Sequence, residues 1–266
     1  MTDVSSVEDG RAHAESGDPA LRPETPRGGH GVVFVGDVHG HYAALARLAA
    51  ALPRTLTVVQ VGDLGPLAAW APMDRPLHFL RGNHDDVPVL RGVTAPAEVR
   101  PGLVYLLAGV HLLGGMRVGV LGGAESVDGP GRVRNVDWWP GEEGVQPREQ
   151  ERLLAAARDT RGVDLLVTHT PPASVVEAML RTTVGGRASE DDPSPSGVAR
   201  GADLHASHSR SAVAVEQAWR VLGQPPLVCG HMHRPWRDGV VEVLGPFGVA
   251  LRALWQGQVR RSGGIR

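Results

Sequence analysis

The chain has 266 residues, 42% of them hydrophobic, and a formal net charge of −2. That length suits one large α/β domain or two small ones, and the near-neutral balance offers no general pull toward nucleic acid or an anionic membrane. All 27 basic residues are arginine, which excludes a Schiff-base lysine and a phosphate-loop lysine.

Residues 1–30 are rich in Gly, Pro, Glu, Asp and Arg without apolar periodicity, and are expected to form a disordered leader. They lack the apolar core of a secretory signal. No apolar run approaches the ~20 residues needed to span a bilayer. The single cysteine, Cys229, permits no internal disulfide and points to a reducing compartment. The expectation is a soluble cytoplasmic protein without a membrane partner.

The first element is a buried strand, Val32 to Val35, which stops at Gly36 and is followed by Asp37-Val38-His39-Gly40-His41. In extended backbone, residues i and i+2 share a side, so Asp37 and His39 can converge on one point. A helix follows from His41 to Leu52, with Leu45, Leu48 and Leu52 at helical spacing and Pro53 as its stop. The strand Thr55 to Val61 then runs into Gly62-Asp63-Leu64-Gly65, and Pro76 to Arg81 runs into Gly82-Asn83-His84-Asp85. Three strands that each end in glycine and polar ligand-type residues suggest an α/β sheet with its site at the carboxyl edge.

Next, Val104 to Leu107, Val110 to Leu113 and Arg117 to Leu121 read as short strands. The last pair turns at Gly114-Gly115, which suggests antiparallel pairing and a second sheet. Asp128 to Gly144 reads as an irregular loop carrying Arg132, Arg134, Trp138 and Trp139. A helix opens at Pro147 and stops at Gly162. Val163 to Val167 delivers Thr168-His169-Thr170-Pro171-Pro172, and a short helix runs to Leu180. Residues 182–208 lack large apolar side chains and read as a flexible insertion, a lid over the site or a neutral addition. A helix from Ser209 to Leu222 precedes the strand Leu227-Val228-Cys229, which delivers Gly230-His231-Met232-His233. Strands Val240 to Leu244 and Val249 to Trp255 close one domain of residues 31–260, before a tail of 261–266.

The strand ends thus carry Asp37, His39, Asp63, Asn83, His84, His169, His231 and His233. Oxygen and imidazole donors without thiolates suit Mn, Fe, Co, Ni or Zn. Eight side chains exceed the needs of one ion, and a carboxylate such as Asp63 can bridge two ions that clamp a displacement at phosphorus.

The ordered series GDVHG, GDLG, GNHD, THTPP and GHMH resembles the calcineurin-like metallophosphoesterase superfamily over roughly residues 32–255. The resemblance implies a sandwich of two mixed β-sheets flanked by helices. It also implies two divalent metals, manganese first among them. Asp37, His39 and His233 would ligate the first metal, Asp63 would bridge, and Asn83, His169 and His231 would ligate the second. His84 would contact the phosphate and protonate the leaving group, with Asp85 orienting that imidazole.

The implied activity is hydrolysis of a phosphate mono- or diester by a metal-activated water. The substrate would be a small phosphorylated molecule or nucleotide, more than a phosphoprotein. No Asp-Arg-Gly follows the second motif here, where Pro66-Leu67 stands, so a protein phosphatase is disfavoured. Arg81 suits either that branch or a structural ion pair. Arg134, or Arg132, could replace the missing phosphate contact, and the two tryptophans could stack on a ring. The alternatives are a non-catalytic metal- or phosphate-binding module of the same fold, or a two-metal amidase or lactonase.

Overall fold

The computed structural model describes residues 31–126, 128–184, 209–255 and 258–261. The expected leader, most of the 182–208 insertion and nearly all of the tail lie outside the described residues. In chain order the elements are β1 (Gly31–Val35), α1 (Tyr42–Ala51), β2 (Leu56–Gln60), β3 (Leu77–Phe79), α2 (Val87–Leu90) and β4 (Ala97–Arg100). β5 (Leu103–Tyr105), β6 (Gly109–Leu113), β7 (Met116–Leu121), α3 (Pro147–Asp159) and β8 (Leu165–Thr168) follow. The series ends with α4 (Ala173–Val184), α5 (Arg210–Val221), β9 (Leu227–Cys229), β10 (Trp236–Asp238), β11 (Val241–Val243), β12 (Val249–Trp255) and β13 (Gln258–Arg261).

Two mixed sheets form. The first has seven strands in the order β13-β12-β1-β2-β3-β5-β4, and the second six in the order β10-β11-β9-β8-β7-β6. β1, β2, β3 and β5 run parallel, as do β7, β8, β9 and β11, while the outer strands pair antiparallel.

The apolar pattern of β1 explains the layering. Val32 and Phe34 join Val59, Val118, Val120, Leu165 and Val167 in a core between the sheets. Val33 and Val35 face the other way, into a cluster with Leu45 of α1, Val58, Leu77 and Phe79. A strand covered on both faces needs a continuous apolar run rather than an alternating one, as GVVFV shows. A third cluster packs Leu153 of α3, Val175 and Met179 of α4, and Val215 and Trp219 of α5 on Leu121, Leu166 and Leu227 of the second sheet. The result is the expected four-layer α/β sandwich.

The Pro147 start of α3 is reinforced by Glu149, whose carboxylate accepts from Gln146 N–H at 3.0 Å. Ser209 caps α5 by accepting from Ala212 N–H at 3.0 Å. α4 extends past the expected end at Leu180 to Val184. Among the described residues, no helix is long and apolar enough to cross a membrane.

Candidate metal centre and adjoining cleft

Parallel strands of both sheets end on the same side, and the five loops that leave β1, β2, β3, β8 and β9 carry every candidate ligand. Ligand atoms of Asp37, His39, Asp63 and His233 all lie within 4.8 Å of one another, and those of Asp63, His169 and His231 do likewise. Asp63 is common to both groups. Asn83 adjoins the second, with its Oδ1 3.1 Å from His169 Nε2.

The backbone here is strained in a concerted way. His39, Asp63, His231 and His233 all have positive φ, between 43° and 67°. Non-glycine residues in the left-handed region cost of order 1 kcal/mol or more each, and they persist where surrounding structure over-determines them. That structure is visible. Val38 and His39 N–H both donate to Asp63 O, at 3.1 and 2.9 Å, and Gly230 N–H donates to His169 O at 2.9 Å. Two glycines let the loops close this tightly. A Cβ on Gly82 would fall 2.1 Å from Asp63 Oδ1, and one on Gly230 would fall 2.2 Å from Asp37 Oδ1.

The donor set fits divalent cations. His39 Nε2 and His233 Nε2 face each other at 2.8 Å. Asp37 Oδ2 lies 3.1 Å from His233 Nε2, and Asp63 Oδ2 3.9 Å from His39 Nε2. Two imidazole nitrogens at such a separation require a proton or a cation between them, and the flanking carboxylates supply charge for a cation. His169 Nδ1 is 2.9 Å from Val61 O, which directs its Nε2 toward Asp63 and Asn83, as outer-shell carbonyls do for metal-binding histidines.

Electrostatics point the same way. Burial alone would lower the His169 pKa, but the Asp63 carboxylate 3.4 Å away prevails and pushes it up to about 9. Burial works against the Asp63 charge too, and His169 and His84 nevertheless hold that carboxyl well below its usual range. His231 is pushed down to about 4, by burial and then by the charge of His169. The centre therefore stabilises positive charge next to Asp63 and resists a proton on His231.

Two expectations about the surroundings need correction. Asp85 does not orient the His84 imidazole. Its buried carboxylate accepts from the backbone N–H of Asp63 (3.0 Å), Gly65 (2.9 Å) and Gly82 (2.7 Å), tying the β2 loop to the β3 loop. Burial, then the neighbouring Asp63 charge, raises its pKa to about 6. The carboxylate that faces His84 Nε2, at 3.5 Å, is Asp128. Arg134 is exposed and bridges to Trp138 within its own loop. The arginine lining the cleft is Arg132.

That cleft, about 290 Å³, is bounded by His39 and His84 on the metal side, by Pro66 and Asp86, and by Arg132, Val136 and Trp139 on the other. Trp138 instead packs on Gly129 and donates to Glu143 Oε1 at 3.2 Å. Arg81 is structural: it is buried, donates to the carbonyls of Glu142, Glu143 and Gly144, and pairs with Glu149 at 2.9 Å. Ser126 and Asp128 were not expected at the site. They stand in an irregular loop whose residue types, taken singly, carry no ligand signal.

A family model described as calcineurin-like phosphoesterase matches residues 30–235. No curated protein matches the chain. Among solved structures it is similar to the calcineurin-like phosphoesterase YfkN from Bacillus subtilis, at 11% identity and a TM-score of 0.39 over 87% of each chain. It is also similar to the sulfate thiohydrolase SoxB from Thermus thermophilus in complex with glycerol, at 13% identity and a TM-score of 0.35. That match covers 86% of this chain and 42% of the other. The family model spans most of the chain, including all six residues of the two ligand groups and Asn83, from Asp37 through His233. The chain belongs to the calcineurin-like phosphoesterase family.

Proposed function

We propose that the protein hydrolyses a phosphate ester of a small molecule with the help of two divalent cations. The observation that carries this reading is Asp63, whose carboxylate belongs at once to both ligand groups. Asp37, His39, Asp63 and His233 would hold one cation, and Asp63, Asn83, His169 and His231 the other. When bound, such a pair supplies Lewis-acid stabilisation of phosphoryl oxygens and acidifies the attacking water. Manganese is the first ion to test, with Fe, Zn, Co and Ni as alternatives.

The protein's own groups do the rest. Asn83 donates from Nδ2 to Ser126 Oγ at 3.1 Å, which fixes its Oδ1 toward the second group. His84 lines the cleft without belonging to either ligand group, so its ring is free to give a proton to the departing alkoxide oxygen. Asp128 Oδ2 stands 3.5 Å from that Nε2 and sets where the ring points. The cleft volume suits a compact phosphorylated metabolite or a nucleotide better than a folded phosphoprotein. A reducing, cytoplasmic setting suits the lone, buried Cys229.

The test is turnover by manganese-loaded protein of an alkyl phosphate, a phosphate diester and a carboxylic anilide, measured side by side. Hydrolysis of phosphate esters alone is expected. Turnover of the anilide alone, or of nothing after metal loading, would overturn the proposal.

A further inference from the structure

The loop between β7 and α3 brings a cation to the cleft, in an arrangement that bears on which phosphate esters the protein accepts. Arg132 has a side chain only 11% exposed, yet it lines the same cavity as His39 and His84. Its Nη1 donates to Ser126 Oγ at 2.7 Å and lies 3.7 Å from Asp128 Oδ1. The same Ser126 oxygen accepts from Asn83 Nδ2 at 3.1 Å. One hydroxyl therefore holds the guanidinium within two hydrogen-bond lengths of a residue of the metal centre. Asp128 completes the circuit, with its other oxygen toward His84. Among the described residues, nothing accepts from Arg132 Nε or Nη2, so one edge of the planar fork is left to bind in the cleft.

We infer that Arg132 is a specificity-determining residue that selects phosphate monoesters over diesters, by receiving a free phosphoryl oxygen on its unoccupied edge. This deepens the phosphoesterase reading and rests on it. A monoester dianion presents three non-bridging oxygens, enough for two cations and a guanidinium together. A diester has only two, and its second ester substituent would stand where the oxygen received by Arg132 would be. An arginine fork with one edge pinned and the other open is suited to paired N–H···O bonds with such an oxygen. Hydrogen bonds of this charged kind are worth about 10–100-fold in binding.

The experiment compares p-nitrophenyl phosphate with bis(p-nitrophenyl) phosphate, which share a leaving group and so cancel the contribution of His84. Wild-type manganese-loaded protein is expected to favour the monoester. Arg132→Met should reduce the monoester-to-diester ratio of kcat/KM by about 10–100-fold, mainly through KM, and Arg132→Lys should fall between. Calorimetric binding of inorganic phosphate, which needs no turnover, should weaken in the same order. A wild-type preference for the diester, or equal effects of Arg132→Met on both esters with phosphate binding unchanged, would overturn the inference and leave the phosphoesterase reading standing. Absence of turnover on both esters, with phosphate binding still dependent on Arg132, would instead remove that reading and keep the anion site. Should the methionine variant melt at a markedly lower temperature, the lysine variant decides.

Discussion

Two regions meet at the cleft by opposite means. The strand-end loops bury Asp37, Asp63, Asn83 and His169, hold four ligands in left-handed backbone, and are locked by inter-loop hydrogen bonds and by glycines that admit no Cβ. The β7–α3 loop is irregular and leaves Val133 60% and Val136 69% exposed, yet it delivers Arg132 and Trp139 to the opposite wall and sets Ser126 and Asp128 beside Asn83 and His84. A scaffold that over-determines its backbone can hold charge at fixed points, which is what metal chemistry needs. A loop anchored at a few points can be altered without disturbing that scaffold, which is what substrate choice needs. One such anchor is Glu143, buried, whose carboxylate accepts from Ser126 N–H at 2.8 Å.

The sharpest way to break this contrast is Asp63→Ala. It removes the shared carboxylate, so turnover should fall by about 10³-fold or more and elemental analysis should show loss at both metal positions. Retention of one full equivalent with wild-type activity would end the dinuclear reading. His84→Asn comes next. It should keep both metals while losing about 10²–10⁴-fold on an alkyl phosphate and much less on p-nitrophenyl phosphate, whose leaving group needs no proton. Equal losses on both would make His84 a phosphate-binding group only.

A paired substitution then separates the two regions directly. Asp85→Asn should place an amide N–H against backbone N–H donors and cost about 1–3 kcal/mol of stability, read as a lower Tm. Asp128→Asn should leave Tm almost unchanged and show a weakened form of the His84→Asn leaving-group asymmetry. The reverse result would exchange the two roles.

The smallest effect on turnover is expected far from the cleft, at Glu242. Burial raises its carboxyl pKa, but hydrogen bonds from Arg252 and Arg237 outweigh that and hold it below the ordinary 4.5. A depressed folded-state value means that the stability it contributes is present above pH 4.5 and is lost as pH falls through the lower folded value. Glu242→Gln should therefore lower Tm near neutral pH, flatten its decline in acid, and leave kcat/KM intact. An unchanged acid slope would show that this carboxylate is not what titrates.

The strand-end region was legible because its physics is local. A continuous apolar run, then glycine, then a carboxylate or imidazole is visible at Val35-Gly36-Asp37 and Val61-Gly62-Asp63 without knowledge of the fold. Strand ends were placed within a few residues, and Leu227–Cys229 agrees at both ends. β4 escaped notice because Ala97–Arg100 is a half-exposed edge strand between prolines, with neither alternation nor a buried run. Arg132 and Arg134 could not be separated in the sequence, since nothing there shows which side of an irregular loop turns inward. Asp85 was misread for a related reason. Adjacency to His84 suggested contact, whereas the turn points that carboxylate at three N–H groups contributed by two loops.

The position of β1 has a consequence for how the chain is made. β1 lies between β2, its near neighbour in sequence, and β12, whose Val249 to Arg252 pair with Val35 to Val32. Asp37 likewise waits for His231, 194 positions away. At 5–20 residues per second, one edge of β1 stays open for about 10–40 s of synthesis, during which this apolar strand can pair with a neighbouring chain. Metal capture is by the same logic a late event, because neither ligand group is complete until His231 and His233 have left the ribosome. Ribosome-bound fragments that end before β9 should bind no metal tightly and should depend on chaperones to stay dispersed, and release of the full chain should end both conditions at once.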